Sequence, residues 1–512
     1  MRVVFIWFNT AGPVGISHGV LILARELIAA GHEVDVLHLH EEQGLTSEQA
    51  LAQLEARPPE VVALSFGSPH ADQARRMVPA IKAVAPAATV VCGGIHTTLA
   101  PDEVFSWPGV DAIGLGELDN GPFVDFVACL ETGGAAEREG FWVRDHLGEH
   151  RNRLAPLPAL EDQALPHWEA VDIAGLVAAK RGFGEIIAGR GCPNRCRFCQ
   201  NHALVKRYRT SLPGAPGTWP YCRIRSVSNV LAELKLLMRL APEMKAVMFG
   251  DDRLAANRDW LVEFAARYPD DIGLPFIVNA TAEQIDEESA RLLAQAGCNM
   301  VKMGVECAPG RIRREVLGRP HDEQRITTAF GHCRAAGLNT MAYIMVGIPG
   351  ESADDVAATY RFTAALRPDA VRLAMFCPFP GTEIHAELVS RGLIEDTRMV
   401  YGFLRRSVLK WPDEMHLLLE KVLMLHPWIL NSHLDGRVGA TVADFVSRAL
   451  AVSQGTFEDE AYRRELFEQQ RSLSVQLAQD DRPHYFAPFG ERPDWAFLRA
   501  ERSRPLINVG NK

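Results

Sequence analysis

The stretch Glu185-Ile-Ile-Ala-Gly-Arg190 runs straight into Gly191-Cys192-Pro-Asn-Arg-Cys196-Arg-Phe198-Cys199-Gln200. An apolar β-type run thus ends in a loop with Cys-x3-Cys-x2-Cys spacing. Three thiolates so close can each reach a different iron of a cubane cluster, leaving the fourth iron open to chelate a substrate or cofactor. A closed zinc site wants a fourth ligand at short spacing, and only His202 stands nearby. The chain has 10 cysteines and no export signal, so clustered thiols read as a metal or redox site before a disulfide framework. Cys222, Cys298, Cys307, Cys333 and Cys377 share no spacing and read as core or surface thiols.

Downstream the pattern continues as a βα series. VLAELKLLMRL, DWLVEFAARY, SARLLAQAG, TTAFGHCRAAG and VAATYRFTAAL have helical periodicity. AVMFGDD, PFIVNAT, MVKMGVE, TMAYIMVGIP and AVRLAMFCPFPG read as strands. Together with EIIAGR they predict a partial (βα)6 TIM-type barrel over 173–400, with its chemistry at the strand C-termini. Upstream, residues 1–144 alternate RVVFIWF, EVDVLHL, EVVALSF, TVVCGG and DAIGLG with helical patterns, the rhythm of a doubly wound parallel sheet. Ligands of such sheets sit at loops leaving the strand carboxyl ends, here Asn9 to Ser17, Ser65 to His70, Gly93 to Thr98 and Gly114 to Asn120. Pro156, Pro158 and Pro166 among charged residues mark 145–172 as a linker laid over a surface. Residues 401–512 pattern as a helical C-terminal domain, in which Trp411, Trp428 and Trp495 read as packing residues.

Composition narrows the function. A formal charge of −10 disfavours a general nucleic-acid binder. No apolar run is long enough for a membrane span, and MRVVFIWFNTAG reads as a buried strand rather than a signal peptide, so a cytoplasmic protein is expected. Arg207, Arg209, Arg223 and Arg225 read as a charged surface loop ahead of an anion or electron-donor site.

The cysteine motif, with Phe198 before its last cysteine, resembles the signature of the radical S-adenosylmethionine (SAM) superfamily. The resemblance implies that Cys192, Cys196 and Cys199 hold a [4Fe-4S] cluster whose open iron binds the amino and carboxylate groups of SAM. Reductive cleavage of SAM would then give a 5′-deoxyadenosyl radical that abstracts hydrogen from substrate. Phe198 would position the adenine or shield the cluster. Phe249-Gly250-Asp251-Asp252 looks like the segment that contacts the SAM amino group, in place of a plain Gly-Gly-Glu. Glu306 matches a position near the ribose or carboxylate. Gly347-Ile-Pro349-Gly-Glu351 resembles the turn lying against adenine, its other reading being a plain βα turn with Glu351 opening a helix.

Cys377-Pro-Phe-Pro-Gly-Thr382 is common in the radical SAM subgroup with an N-terminal cobalamin domain. Gly93-Gly94-Ile-His96-Thr97-Thr98 looks like that domain's Gly-Gly-x-x-x-Thr loop, and Gly116-Glu117 like its next strand-end turn. By this similarity Ser65, Ser68, His70, Gly93, Gly94, His96, Thr97, Thr98, Gly116 and Glu117 surround cobalamin. The glycines would allow close backbone approach, and the threonine hydroxyls would meet its amide and phosphate groups. Asp-x-His-x-x-Gly is absent, implying base-off binding without that histidine. His70 reads either as a neighbour of the lower cobalt face or as a solvated loop histidine.

The resemblance implies a cobalamin-dependent radical SAM methyltransferase acting on an unactivated carbon, or on phosphorus, of a small metabolite or natural product. Its electrons would come from a reducing protein such as flavodoxin or ferredoxin. One SAM would methylate cob(I)alamin and a second would yield the radical. The alternatives are a non-methylating enzyme of the oxidative cyclase kind, and a cobalamin or iron–sulfur sensor without SAM turnover.

Overall fold

The fold is that of a computed structural model, which describes residues 1–9, 15–132, 134–161, 163–212, 221–319, 321–394, 407–434, 436–479, 485 and 496–498. Its first sheet contains β1 (Arg2–Phe8), β2 (Glu33–Leu39), β3 (Val61–Ser65), β4 (Thr89–Gly93), β5 (Ala112–Gly114), β6 (Phe141–Asp145) and β7 (Gly148–Arg151). They lie in the order β2-β1-β3-β4-β5-β6-β7. β1 to β5 are parallel, and Val3, Val4, Phe5 and Ile6 show why they read as unbroken apolar runs, since both faces are buried.

β6 and β7 form an antiparallel hairpin at the sheet edge. The sheet therefore runs on to Arg151, into the segment expected to be linker. Nor do the residues beyond it lie over a surface: Leu154, Leu160 and Trp168 are buried. The Trp168 indole donates to Glu233 Oε1 at 3.1 Å. The prolines mark an extended path between two packed bodies.

The second sheet contains β8 (Phe183–Ile186), followed at its mouth by a short antiparallel pair, β9 (Gly189–Arg190) and β10 (Arg223–Ile224). It continues with β11 (Ala246–Phe249), β12 (Phe276–Ala280), β13 (Cys298–Glu306), β14 (Asn339–Val346), β15 (Ala370–Met375) and β16 (Ala496–Leu498). The order is β16-β15-β14-β13-β12-β11-β8, parallel from β8 to β15. Outward residues such as Phe249, Val278, Val301, Ile344 and Leu373 pack into one large core under the helices. The alternate residues, among them Asn279, Lys302, Tyr343 and Arg372, face the lumen.

Helices Asp413–Ser432, Arg437–Ala451 and Glu460–Gln479 bear out the helical patterning of the C-terminal region, with one correction. β16 comes from this region and pairs antiparallel with β15, covering an edge that would otherwise present unpaired backbone groups. Trp428 is buried and donates to Gln470 at 3.0 Å, and Trp411 is partly buried, both as packing residues. Trp495, Tyr401 and most of the loop after Asn9 lie outside the described residues. Among the described residues no helix is long and apolar enough to cross a membrane.

Candidate active site

The cysteine loop hangs from the carboxyl end of β8. The β9–β10 pair turns the chain, and the helix Gln200–Ser211 begins at Cys199, its N-cap residue. Cys199 N donates to Cys196 O at 3.0 Å, and Arg197 N to Leu317 O at 2.9 Å. The Arg197 guanidinium adds an ion pair with Glu387 at 2.6 Å. The side chains between the cysteines thus tie the loop to the barrel. Phe198 packs into an apolar group with Cys307, Ile312, Leu317, Met345 and Ile348.

Burial pushes the Cys192 thiol up to about 11 and that of Cys196 up to about 12, and raises Cys199. Arg253 opposes the rise at Cys192, and Arg319 at Cys196 and Cys199. The three thiols feel one another's charge. Yet among the described residues no three Cys, His, Asp or Glu lie close enough to hold a single metal ion. Three thiols on one loop that feel one another's charge are the kind of donor set a cubane takes, each thiolate on its own iron.

The neighbouring strand ends divide their labour. Asp251 is buried and accepts hydrogen bonds from Ala188 N, at 3.0 Å, and from Gly189 N. Desolvation pushes its carboxyl up to about 7 against those donors. It is committed to the root of the cysteine loop. Asp252 instead accepts from Asn201 Nδ2 at 2.7 Å and is felt by Cys192 and Cys199. Glu306 ends β13 at φ 63°, a left-handed conformation uncommon for a side-chain-bearing residue, and pairs with Arg319 at 3.0 Å. The Gly347 and Ile348 amides donate to Glu351 Oε2 at 2.6 and 3.2 Å. Glu351 therefore locks the Gly347–Pro349 turn from below, and the helix that follows is capped by Ser352.

In the first domain the loop after β4 depends on Gly94, at φ 96°, where a Cβ would lie 2.5 Å from Phe66 O. The threonines differ from expectation. Thr97 Oγ1 donates to Gly93 O at 3.1 Å, and Thr98 Oγ1 donates to Gly94 O at 3.0 Å while accepting from Gly116 N at 2.9 Å. Both are buried and serve the loop's own backbone. Ser68 Oγ and His96 Nδ1 bond to each other at 3.0 Å in the interior. Burial pushes the His70 imidazole down to about 4, which keeps it neutral.

A cavity of about 380 Å³ lies between the facing strand ends. Ser65, Gly93, Gly94 and Gly116 line it from the first sheet, and Gly189, Gly191, Asp251 and Asp252 from the second. Ser68, His70, His96, Thr97 and Thr98 are not among its lining residues. Glu117 does line it, but its carboxylate bridges Arg190 and Arg223, and Asp119 joins Arg190 at 3.0 Å. These pairs, with the Tyr208 hydroxyl accepting from Glu117 N at 2.7 Å, clamp the two sheets around the cavity. Arg225 is buried against Glu233, so Arg223 and Arg225 are internal ion-pair partners rather than a surface patch. Arg190, Asp119, Arg319 and Lys302 were not singled out in the sequence. Only their folded neighbours distinguish them from ordinary charged residues.

The Radical SAM superfamily model matches residues 186–363 and the B12 binding domain model matches residues 6–121. The chain therefore carries a Radical SAM domain preceded by a B12-binding domain. An uncharacterized methyltransferase, PH0819 of Pyrococcus horikoshii, is 24% identical over 395 residues, covering 75% of this chain and 80% of that protein. The anaerobic magnesium-protoporphyrin IX monomethyl ester cyclase of Rubrivivax gelatinosus is 25% identical over 451 residues, covering 83% of this chain and 76% of the cyclase. The fold resembles that of the radical SAM methyltransferase TsrM from Kitasatospora setae, solved with cobalamin and a [4Fe-4S] cluster bound. That likeness has a TM-score of 0.62 and 20% identity, over 76% of this chain and 78% of TsrM.

Proposed function

We propose that this protein is a cobalamin-dependent radical SAM methyltransferase that methylates a carbon, or a phosphorus, of a small molecule. The observation that carries this reading is the single cavity onto which both the glycine loops of the B12-binding domain and the root of the cysteine loop open. A methyl donor held by one sheet and a radical generated at the other must meet at one substrate, and alignment of the reacting atoms is what the protein contributes.

When bound, the cluster with SAM would supply hydrogen abstraction and the cobalamin would supply the methyl group. The chain's part begins with Cys192, Cys196 and Cys199 as cluster ligands. Asp252, Gly250, Glu306, Phe198 and the Gly347–Pro349 turn form the wall for SAM, while Asp251 holds the loop. Ser65, Gly93, Gly94 and Gly116 let the backbone approach cobalamin closely, and His70, Ser68, His96, Thr97 and Thr98 support those loops. Arg190 and Glu117 keep the two halves in register and exclude water. A small electron-donor protein such as flavodoxin or ferredoxin would serve as reductant.

The test is anaerobic turnover of the reconstituted enzyme with SAM and a reductant, against a panel of methyl acceptors. S-adenosylhomocysteine and 5′-deoxyadenosine formed together, with an acceptor gaining one methyl mass, support the reading. Deoxyadenosine without any methyl gain would replace it with a cyclase-type reaction, the activity named for the Rubrivivax relative.

A further inference from the structure

The lumen of the half-barrel holds two cations, Lys302 and Arg372, that form no ion pair among the described residues. On neighbouring inward positions, Lys302 stands opposite Asn279 and Met341, and Tyr343 opposite Gly304 and Arg372. The nearby acids are already engaged, Glu185 with Lys180 and Glu306 with Arg319. Lys302 is 7% exposed, and among the described residues neither its side chain nor that of Arg372 has a hydrogen bond or ion pair. Arg372 raises the cost of keeping Lys302 charged. A buried ammonium that feels the like charge of a half-buried guanidinium and has no paired counter-ion is costly unless an anion comes to it.

These are not the cations that face the cysteines. Arg253 and Arg319 do that, whereas Lys302 and Arg372 have each other, Glu185 and Tyr343 as electrostatic neighbours. Lys302 also lies well before Glu306, the carboxyl end of β13, and so farther into the lumen.

We propose that Lys302 and Arg372, with the Tyr343 phenol, bind an oxyanion carried by the methyl acceptor, a carboxylate, phosphate or phosphonate group of a small molecule seated in the half-barrel. Naming the guest a methyl acceptor rests on the function proposed above, whereas the anion site stands on the lumen's own charges. The guanidinium fork takes two oxygens in its plane, the ammonium takes a third as a point charge, and the phenol donates a neutral hydrogen bond.

The test uses the full-length protein reconstituted with cluster and cobalamin, with inorganic phosphate, methylphosphonate and acetate as probes. Calorimetric titration and the probe-induced rise in melting temperature are the readouts. At least one probe binds the wild type saturably. Lys302→Met and Arg372→Met each weaken that binding by roughly tenfold or more, the loss expected for one charge-assisted contact, and Lys302→Arg keeps most of it. SAM affinity stays unchanged in the same variants, as do iron and cobalamin content. Failure of all three probes to bind wild type overturns the proposal, whatever the variants do. So does equal binding by wild type and both Met variants. Loss of SAM affinity in place of probe affinity also overturns it, and assigns the two cations to the SAM carboxylate. Probe binding intact in a protein that forms neither S-adenosylhomocysteine nor 5′-deoxyadenosine would sink the methyltransferase reading and leave the anion site standing.

Discussion

Lys302 makes the lumen expensive in a way that stability measurements can read. Burial, reinforced by Arg372 and only partly offset by Glu185, pulls its ammonium down to about 8 from an unfolded value of 10.5. Below pH 8 both folded and unfolded states carry the proton, and the folded state bears the full cost of the buried charge. Between pH 8 and 10.5 the unfolded state binds the extra proton, so stability rises with pH through that window. Lys302→Met should therefore raise the melting temperature at pH 7, by on the order of 3 kcal/mol of stability, and the advantage should shrink as pH passes from 8 toward 10.5. A variant that melts no later than wild type at pH 7 would mean the ammonium is already satisfied. Gly116 offers the opposite case. It sits at φ 78°, and a Cβ there would collide with the Tyr208 hydroxyl. Gly116→Ala should cost about 1–3 kcal/mol in denaturant unfolding and weaken cobalamin retention. At this scale the sequence revealed what was chemically rare. Three closely spaced cysteines stand out in any chain, whereas Arg319, Arg190 and Lys302 look like ordinary charged residues until folding brings distant partners to them or withholds them.

Among the elements, the end of β11 carries two adjacent acids with separate duties. Asp251→Ala removes the acceptor for the Ala188 and Gly189 amides, leaving buried donors unpaired at the root of the cysteine loop. Iron content after reconstitution should fall severalfold. Asp252→Asn leaves that root intact, so iron content should hold while SAM affinity drops; equal iron loss in both variants would contradict this division. The same strand shows what periodicity can convey. β11 to β15 were readable because outward residues such as Val247, Val278 and Ile344 alternate with lumen residues between strong helical patterns. The β6–β7 hairpin was not, because Trp142, Val143 and Arg144 form too short and mixed a run to stand out. β16 was missed for another reason, since pairing with β15 is a tertiary event that three residues cannot announce. Nor did the threonines reveal their direction. Thr97 and Thr98 sit four residues after Gly93 and Gly94 at the start of a helix, where a hydroxyl can return to the backbone instead of facing a ligand.

For the molecule as a whole, the decisive feature is that the parallel strands of two sheets present their carboxyl ends to one another across one cavity. Arg190, Arg223, Glu117 and Asp119 hold that arrangement. Arg190→Met leaves Glu117 and Asp119 without one partner in a largely buried setting. It should cost about 3–5 kcal/mol in unfolding, speed proteolysis within the segment 152–167 and shorten cobalamin residence on gel filtration. Unchanged proteolysis would show that the buried linker alone fixes the two halves. The order of the two folds was legible from their βα rhythm, but the cavity between them was not, because no local pattern encodes how two sheets face. The most direct test is the iron, sulfide and cobalamin content of the anaerobically reconstituted protein after gel filtration, beside the variant with Cys192, Cys196 and Cys199 all replaced by alanine. About four irons and one cobalamin per chain are predicted, with iron lost and cobalamin kept in the variant. Iron that survives loss of all three cysteines, or a wild type that retains the cluster but no cobalamin, would contradict the account.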